Sequence, residues 1–518
     1  MNHMRRNCFR FVHRTCCLLI LLVAAGSVAS LAAQAAGPVL PPLPSAEPYI
    51  NRNTNPFDGS IPQGEATTET IELTVPDALE RGLKYNLGLF LSNQTTAEAR
   101  ADRMMALSKI LPNINGTFAE QLYRLNLKSL GISSPLIPSS VGPFSLTATQ
   151  ATGSWDLLNT SSIDKYRAAT QTLKAAAFSY SDARDTVILA VGANYLLVIA
   201  QESRVEATQA ELTTAEALYQ LASDQEAAGL APNIDTLRAR VQLQAQQEAL
   251  IQAENDLEKQ RIALARIIGL PVQQKYKLVN RVPYSPLPEM ISKGAFELAL
   301  TTRPDYKAAQ AQLRAAELRK SAASKQYFPS LTASGAYGVL GYHADDMAPN
   351  YSAAATLNIP IYQGGRIQAD VAEANAQLQK AQAQTANLRG RIEQEVQDAL
   401  LDLRAAARQV EVARTGLDLA QQALAQSQDR FAAGVTNNVE VIQSQQQLAA
   451  ANDQYIGGLF AHNIAKVLLA RSIGNAEQMV KQYLSGNQAI PPAVLAPGAQ
   501  PPPLPSNPPT TPNPPDHK

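Results

Sequence analysis

The sequence predicts a mainly α-helical protein with a small β part. Long helices stand side by side as a helical barrel, and short strand pairs form a transmembrane β-barrel that is complete only when shared between protomers. Three observations predict this. Residues Asp224–Gly269 and Asp429–Gly474 match without a gap at an offset of 205, with Ala227, Ala228 and Gly229 falling on Ala432, Ala433 and Gly434, so the chain holds an internal duplication and each copy is one structural unit. Two proline-free stretches, about Ile163–Ala228 and about Ile367–Ala433, are helices some 65 residues long, roughly 100 Å at 1.5 Å per residue. Ahead of each lie two segments of alternating apolar and polar residues.

In chain order, the first segment carries Arg5, Arg6, Arg10 and Arg14, then an apolar run from Cys16 to Ala25 and small residues to Ala36. This is the pattern of a secretory signal peptide, assigned to residues 1–35. The apolar run is shorter than the roughly twenty residues of a membrane anchor. Cys8, Cys16 and Cys17 all fall inside the signal peptide, which leaves the mature chain no thiols for disulfides or metal ligation. Residues 36–70, rich in Pro, Asn, Gly and Thr, read as an extended arm. Lys and Arg total 44, as do Asp and Glu, and charged residues are only 17%; that balance gives no reason to expect a nucleic-acid partner.

The first repeat spans 71–280. A helical stretch opens at Thr74–Leu87, with Pro76 in its first turn, and continues to about Ile110. Pro112 ends it, as Pro329 ends the counterpart, about Lys293–Gln326, because proline removes a donor and pushes its predecessor extended. Strands follow near 112–126 and 143–157. In the second repeat, 281–484, they lie near 329–341 and 351–362. The clearest alternation sets Tyr351, Ala353, Ala355, Leu357, Ile359 and Ile361 against Ser352, Ala354, Thr356 and Asn358. These lengths fit a tilted membrane crossing. Aromatics cluster at both ends: Trp155, Tyr327, Phe328 and Tyr362 on the helix side, and Tyr123, Phe144, Tyr342 and Tyr351 on the loop side. Such girdles mark membrane interfaces; a soluble four-stranded sheet is the rival reading. Four strands cannot close a barrel, and an open edge in lipid leaves costly unpaired backbone groups. Several chains must therefore share one, and two, three or four satisfy the arithmetic.

The long helices carry an apolar seam every seven residues, Val191, Val198, Val205, Leu212 and Tyr219, matched by Val396, Leu403, Val410, Leu417 and Leu424. A seven-residue repeat makes helices pack along their length. Gly229 and Gly434 suit the left-handed residue ending a helix; Asn233 and Asn438 suit the N-cap of the helix returning from it. Residues 485–518 form a Pro-rich tail without a core.

Read together, TVPDALERGL, the two helix–Pro–strand junctions, IPIYQGGR (Ile359–Arg366) and the paired turns EAAGLAPNID and FAAGVTNNVE resemble the TolC family of outer-membrane efflux and secretion channels, over about Thr74–Tyr483. The resemblance implies a homotrimer with twelve strands on a periplasm-crossing helical barrel, in the outer membrane of a Gram-negative-type bacterium. It implies a periplasmic adaptor and an inner-membrane transporter as partners, and a passive exit duct for efflux or type I secretion. The alternative is an adaptor-like or scaffold protein built on long helical hairpins. LLNTSS (Leu157–Ser162) stands where the second repeat has Gly364-Gly365, a departure from the family pattern.

No catalytic constellation, metal motif or cofactor-binding loop is present in the sequence, and the chain reads as a non-enzyme. His343 near Asp345 and Asp346 reads as a solvated loop, and His462, at the position of Leu257, as a packing residue. The helix-turn tips, Ala228, Gly229, Leu230 and Asn233 with Ala433, Gly434, Val435 and Asn438, are the expected adaptor-binding residues. Asp235 and Glu440 occupy one repeat position. As first-turn acids they complement the helix dipole; as a ring in an oligomer they would form the pore constriction. The resemblance places an acidic ring near this point, though Gln443 stands where a second acid is expected.

Overall fold

A computed structural model describes residues 55–62, 64–131, 138–279, 284–285, 294–342 and 346–484. The expected signal peptide, the first part of the arm, His343 and Asp345 and the Pro-rich tail lie outside these residues.

The arm from Asn55 onward is tied to the helices at several points. Its 3-10 turn, Pro56–Asp58, seats Phe57 against Gly88, where a Cβ would come within 2.4 Å of the ring. The Asn86 amide donates to Phe57 O at 2.6 Å, and Thr67 N donates to Gln274 Oε1 at 2.7 Å. Strand β1 (Ile71–Leu73) then pairs in parallel with β4 (Tyr276–Leu278), tying the start of the first repeat to its end. Sequence reading missed both strands.

The first helical stretch is two helices, α1 (Val75–Tyr85) and α2 (Leu87–Ser108). Thr74 caps α1 in a reciprocal box with Asp77, their side chains each accepting the other's backbone N–H at 3.3 and 3.2 Å. Asn86, with ψ 131°, breaks the chain between them and accepts from Gly88 N at 2.9 Å. The second repeat breaks likewise between α5 (Ala295–Thr302) and α6 (Pro304–Ser324), at Arg303. There Pro304 forces its predecessor extended. The continuous helices expected from sequence are corrected on this point.

Strands β2 (Asn113–Asn126), β3 (Ser140–Leu158), β5 (Ser330–Gly341) and β6 (Ala348–Asn358) form one antiparallel sheet in the order β2-β3-β5-β6. Strand β6 stops three residues before Ile361, because Pro360 cannot donate to a ladder. One row of the register runs Gly116, Ala151, Tyr337, Tyr351. On this row's face lie Ile114, Phe118, Leu122, Trp155, Tyr337, Tyr351 and Leu357, all exposed in the single chain. The opposite face carries Asn115, Thr117, Gln121, Gln150, Thr152, Ser154, Thr332, Ser334, Ser352 and Thr356.

Helix α3 (Thr160–Ala227) has 68 residues and returns through α4 (Asn233–Ile267); α7 (Arg366–Ala432) has 67 and returns through α8 (Asn438–Ile473), followed by α9 (Ala476–Leu484). Asn159 starts α3 by accepting from Ser162 N at 3.0 Å, whereas α7 starts after two left-handed glycines, Gly364 and Gly365. The main core surrounds the middle of α3: Val187, Ile188, Val191, Tyr195 and Val198 pack with Leu79, Leu264, Ile392, Val396, Val467 and Ile473. This part of α3 is apolar and long enough to cross a membrane, but 78% of it is buried inside the protein, so core packing accounts for its hydropathy.

Candidate functional site at the helix tips and the sheet

The two turns are built alike. Ala228 N, Gly229 N and Leu230 N donate to Asp224 O, Glu226 O and Gln225 O at 3.0, 2.9 and 2.8 Å; Ala433 N, Gly434 N and Val435 N donate to Asp429 O, Phe431 O and Arg430 O at 3.0 Å each. Gly229 and Gly434 have φ of 73° and 70°, a region glycine enters freely. Leu230 and Val435 project from the turns, exposed. Beneath them Leu218, Ala222, Ala239, Leu424, Phe431 and Val441 form a small core of their own.

Each N-cap lies one residue earlier than the sequence suggested: Pro232 precedes α4 without a side-chain cap, and Asn437 caps α8, accepting from Val439 N at 3.1 Å. The freed asparagines do different work. Asn233 is exposed and donates to Glu226 Oε1 at 2.6 Å. Asn438 is fully buried and donates to Asp235 O at 2.6 Å, so it joins the two tips inside the chain and is not displayed to a partner. Nothing in the sequence separates the two roles.

The matched acids also differ. The Asp235 side chain is 10% exposed and meets Arg238 at 3.4 Å; that of Glu440 is 37% exposed, 3.6 Å from Arg430, and accepts from the Thr436 hydroxyl. Between the tips, Ile234, Leu237 and Val241 of α4 and Val439 and Ile442 of α8 line an apolar recess of about 430 Å³.

At the sheet, Tyr123, Phe144 and Tyr342 form a cluster at the loop end, with ring centroids 6.1 and 5.6 Å apart. At the helix end Trp155 Nε1 donates to Ile110 O at 2.9 Å, and Tyr327, Phe328 and Tyr362 are exposed. Tyr123 and Phe144, a register pair, share the face of Thr117 and Gln150, opposite the face that carries Trp155, Tyr337 and Tyr351, so the loop-end aromatics expected to form one girdle are divided between the two faces of the sheet. Among the described residues no cluster of His, Cys, Asp and Glu could hold a metal. His462 packs against Tyr284, 4.8 Å between centroids, and burial, with Lys466 nearby, pushes its pKa down to about 4. It is a neutral packing residue.

Two long helical hairpins, each preceded by a strand pair of one open sheet, define the fold class of TolC-like outer-membrane channels. The likeness to solved structures agrees. The outer-membrane channel CmeC of Campylobacter jejuni superposes with a TM-score of 0.69 at 17% identity, covering 84% of this chain and 95% of that one. The outer-membrane protein VceC of Vibrio cholerae gives 0.67 at 18%, covering 77% and 96%. The family described as "Outer membrane efflux protein" matches residues 91–270 and 295–475, and the chain belongs to it. Among relatives, the pyoverdine export outer membrane protein OpmQ of Pseudomonas aeruginosa is 28% identical over 419 residues, 79% of this chain and 86% of that protein. The toluene efflux pump outer membrane protein TtgF of Pseudomonas putida is 23% identical over 457 residues, 82% and 93%. The family is one of outer-membrane channels, not enzymes.

Proposed function

We propose that three copies of this chain close a twelve-stranded barrel on a helical tunnel, which serves as the passive exit duct of a tripartite exporter. The observation that carries this reading is a pair of open edges running the whole length of the chain. Among the described residues, β2 and β6 each lack a neighbour on one side of the sheet. The helices continue the order: α2, α3, α6, α7 near the sheet, then α4, α3, α8, α7 toward the tips. The end helices expose apolar side chains, Phe90, Met104 and Met105 on α2, Ile234, Leu237, Val241 and Ile251 on α4, and Leu401, Val412 and Leu419 on α7. One edge of a protomer can therefore meet the opposite edge of the next at every level, a head-to-tail contact that closes as a ring. Three protomers give an even strand count. The apolar sheet face then meets lipid and the hydroxyl- and amide-bearing face lines the pore.

In this reading the tips lie in the periplasm. Leu230 and Val435 and the recess between them are the surface for an adaptor's helices, which links the duct to an inner-membrane transporter. Glu440 is the pore-constriction acid; Asp235, buried against Arg238, supports it from within the tip. The test is assembly. Unheated samples should run as a trimer on SDS gels, collapse on heating, and co-fractionate with outer membrane under high salt. A heat-insensitive monomer with monomeric mass by light scattering refutes the shared barrel. An adaptor-like protein predicts the same monomer and no membrane insertion.

A further inference from the structure

We infer that Glu120 of one protomer accepts a hydrogen bond from the Tyr351 hydroxyl of the next copy, forming a polar staple across each seam of the barrel. The inference rests on the shared barrel proposed above. Glu120 lies on the apolar face of β2, at the same alternation as Ile114, Phe118 and Leu122. A carboxylate facing hydrocarbon is unfavourable unless its oxygens are satisfied. Among the described residues of its own chain it has one donor, Ser145 Oγ, 3.1 Å from Oε1. Because β2 is an edge strand, the remaining donor must come from the strand that completes the barrel, β6 of the neighbour. On its apolar face β6 presents Pro349, Tyr351, Ala353, Ala355 and Leu357, and of these only tyrosine has a side-chain donor. Among the described residues, the Tyr351 hydroxyl has no partner within its own chain, and the residue is 79% exposed.

Barrel geometry brings the two together. The Thr117 hydroxyl donates to Gln150 O and the Thr152 hydroxyl to Asn115 O, so odd-numbered residues of β2 turn their backbone polar groups toward β3. With L-residues, the apolar face outward and β2 rising from the helices, β3 then lies to the left of β2 seen from outside. Barrel strands tilt to the right in that view, so a hydrogen-bonded row climbs toward the loop end as it passes leftward from β2 to β6. Crossing four strands about 4.8 Å apart at a tilt of 35–45° raises the row by roughly four to six residues. The row through Gly116 and Tyr351 therefore meets the next copy's β2 at Glu120 or Leu122. Tyr351 is then directly opposite Glu120 or diagonal to it, within reach of a long side chain in either case.

The experiment is performed on the full chain. Tyr351→Cys is combined in turn with Gly116→Cys, Glu120→Cys or Leu122→Cys, and the purified trimer is oxidised. Covalent linkage between protomers through 120 or 122, reversed by reductant, is the expected result; linkage through 116 overturns it. In parallel, the heat-dissociation midpoint of the trimer is read for Glu120→Leu, Tyr351→Phe and the double variant. The staple predicts a fall of several degrees in each single variant and no further fall in the double. If Glu120 is unpartnered, Glu120→Leu raises the midpoint by removing a carboxylate from lipid and Tyr351→Phe leaves it unchanged, which refutes the staple while leaving the trimer standing. Absence of any trimer in the unmodified protein removes the shared barrel itself.

Discussion

Helices α3 and α7 begin after equivalent strand pairs, carry the same apolar seam and end in the same turn, yet their surroundings differ. Leu196 of α3 and Leu401 of α7 are matched at the 205-residue offset, and they are 3% and 59% exposed. Asp185 is buried on α3, where α7 has the exposed Gly390. The reason is position in the row of elements. Helix α3 lies inside it, touched by α1, α2, α4, α6, α8 and α9, whereas α7 stands at the edge, against α5, α6 and α8. The two long helices thus resemble each other in backbone while their side chains serve an interior helix in one case and an edge helix in the other. The same divergence appears at the helix breaks. Asn86 breaks the first repeat by capping, and Arg303 breaks the second as a buried guanidinium held by Asp305 and Glu395, each at 2.7 Å.

The largest expected effect tests those breaks. Arg303→Ala strands the Asp305 carboxylate, and losing one partner of a buried pair is expected to cost about 3–5 kcal/mol. Burial alone would raise the pKa of Asp305, but the Arg303 bonds outweigh it and hold the group below the usual carboxylate range. Asn86→Ala loses a cap and should cost about 1–2 kcal/mol. Thermal loss of helical circular dichroism in detergent reads both. Equal effects would mean the two breaks are interchangeable.

The matched leucines come next. Leu196→Ala should lower thermal stability by about 2–5 kcal/mol, as for a core leucine. Leu401→Ala should leave the fold almost unchanged and lower only the temperature at which the proposed trimer dissociates. If Leu401→Ala destabilises the isolated chain as much as Leu196→Ala, α7 is not an edge.

A smaller effect follows from Asp185, whose pKa burial pushes up to about 6 against the pull of Arg471. The folded state then holds a proton that the unfolded chain releases near pH 4. Stability contributed by this group is full below pH 4 and lost as pH rises to about 6, by at most about 3 kcal/mol for a two-unit shift. Asp185→Asn should flatten this slope and gain stability at pH 8 relative to pH 5. A slope unchanged by the substitution assigns it to other groups of the same cluster, such as Asp182.

How much of this was readable beforehand follows from the range of each signal. The long helices were placed within three residues of their ends, because the seven-residue seam and the absence of proline act over dozens of positions. The strands were legible where alternation was long; β6 was overrun because Ile359 and Ile361 continue its pattern past Pro360. β1 and β4 span three residues each, too short for periodicity to register. The break at Asn86 left no mark on the apolar spacing, whereas the one at Arg303 was signalled by Pro304 and passed over because apolar spacing continues across it. At the tips, the turn glycines were legible from local chemistry. That Asn438 is buried while Asn233 is exposed was not, since burial depends on which tip packs inside the other.

The smallest expected effect concerns the gate, where the two matched acids make the comparison sharpest. Both lie in a first helical turn and complement the dipole, a contribution of about 0.3–1 kcal/mol each, so neither substitution should move thermal stability far. Their exposure differs, and only an acid that reaches the pore can select ions. Glu440, held near Arg430 on the exposed side of its helix, is expected to enrich cations at a narrow opening, an effect that salt screens over a Debye length of about 10 Å at 0.1 M. Asp235 is turned inward against Arg238. In planar bilayers at low ionic strength, Glu440→Gln should reduce cation preference measured from reversal potentials, while Asp235→Asn should leave selectivity as it was and lower stability slightly. A selectivity change with Asp235→Asn alone would mean that the tip opens and turns this side chain into the pore. No change in the double variant would return both residues to first-turn helix acids and place the constriction elsewhere along α8.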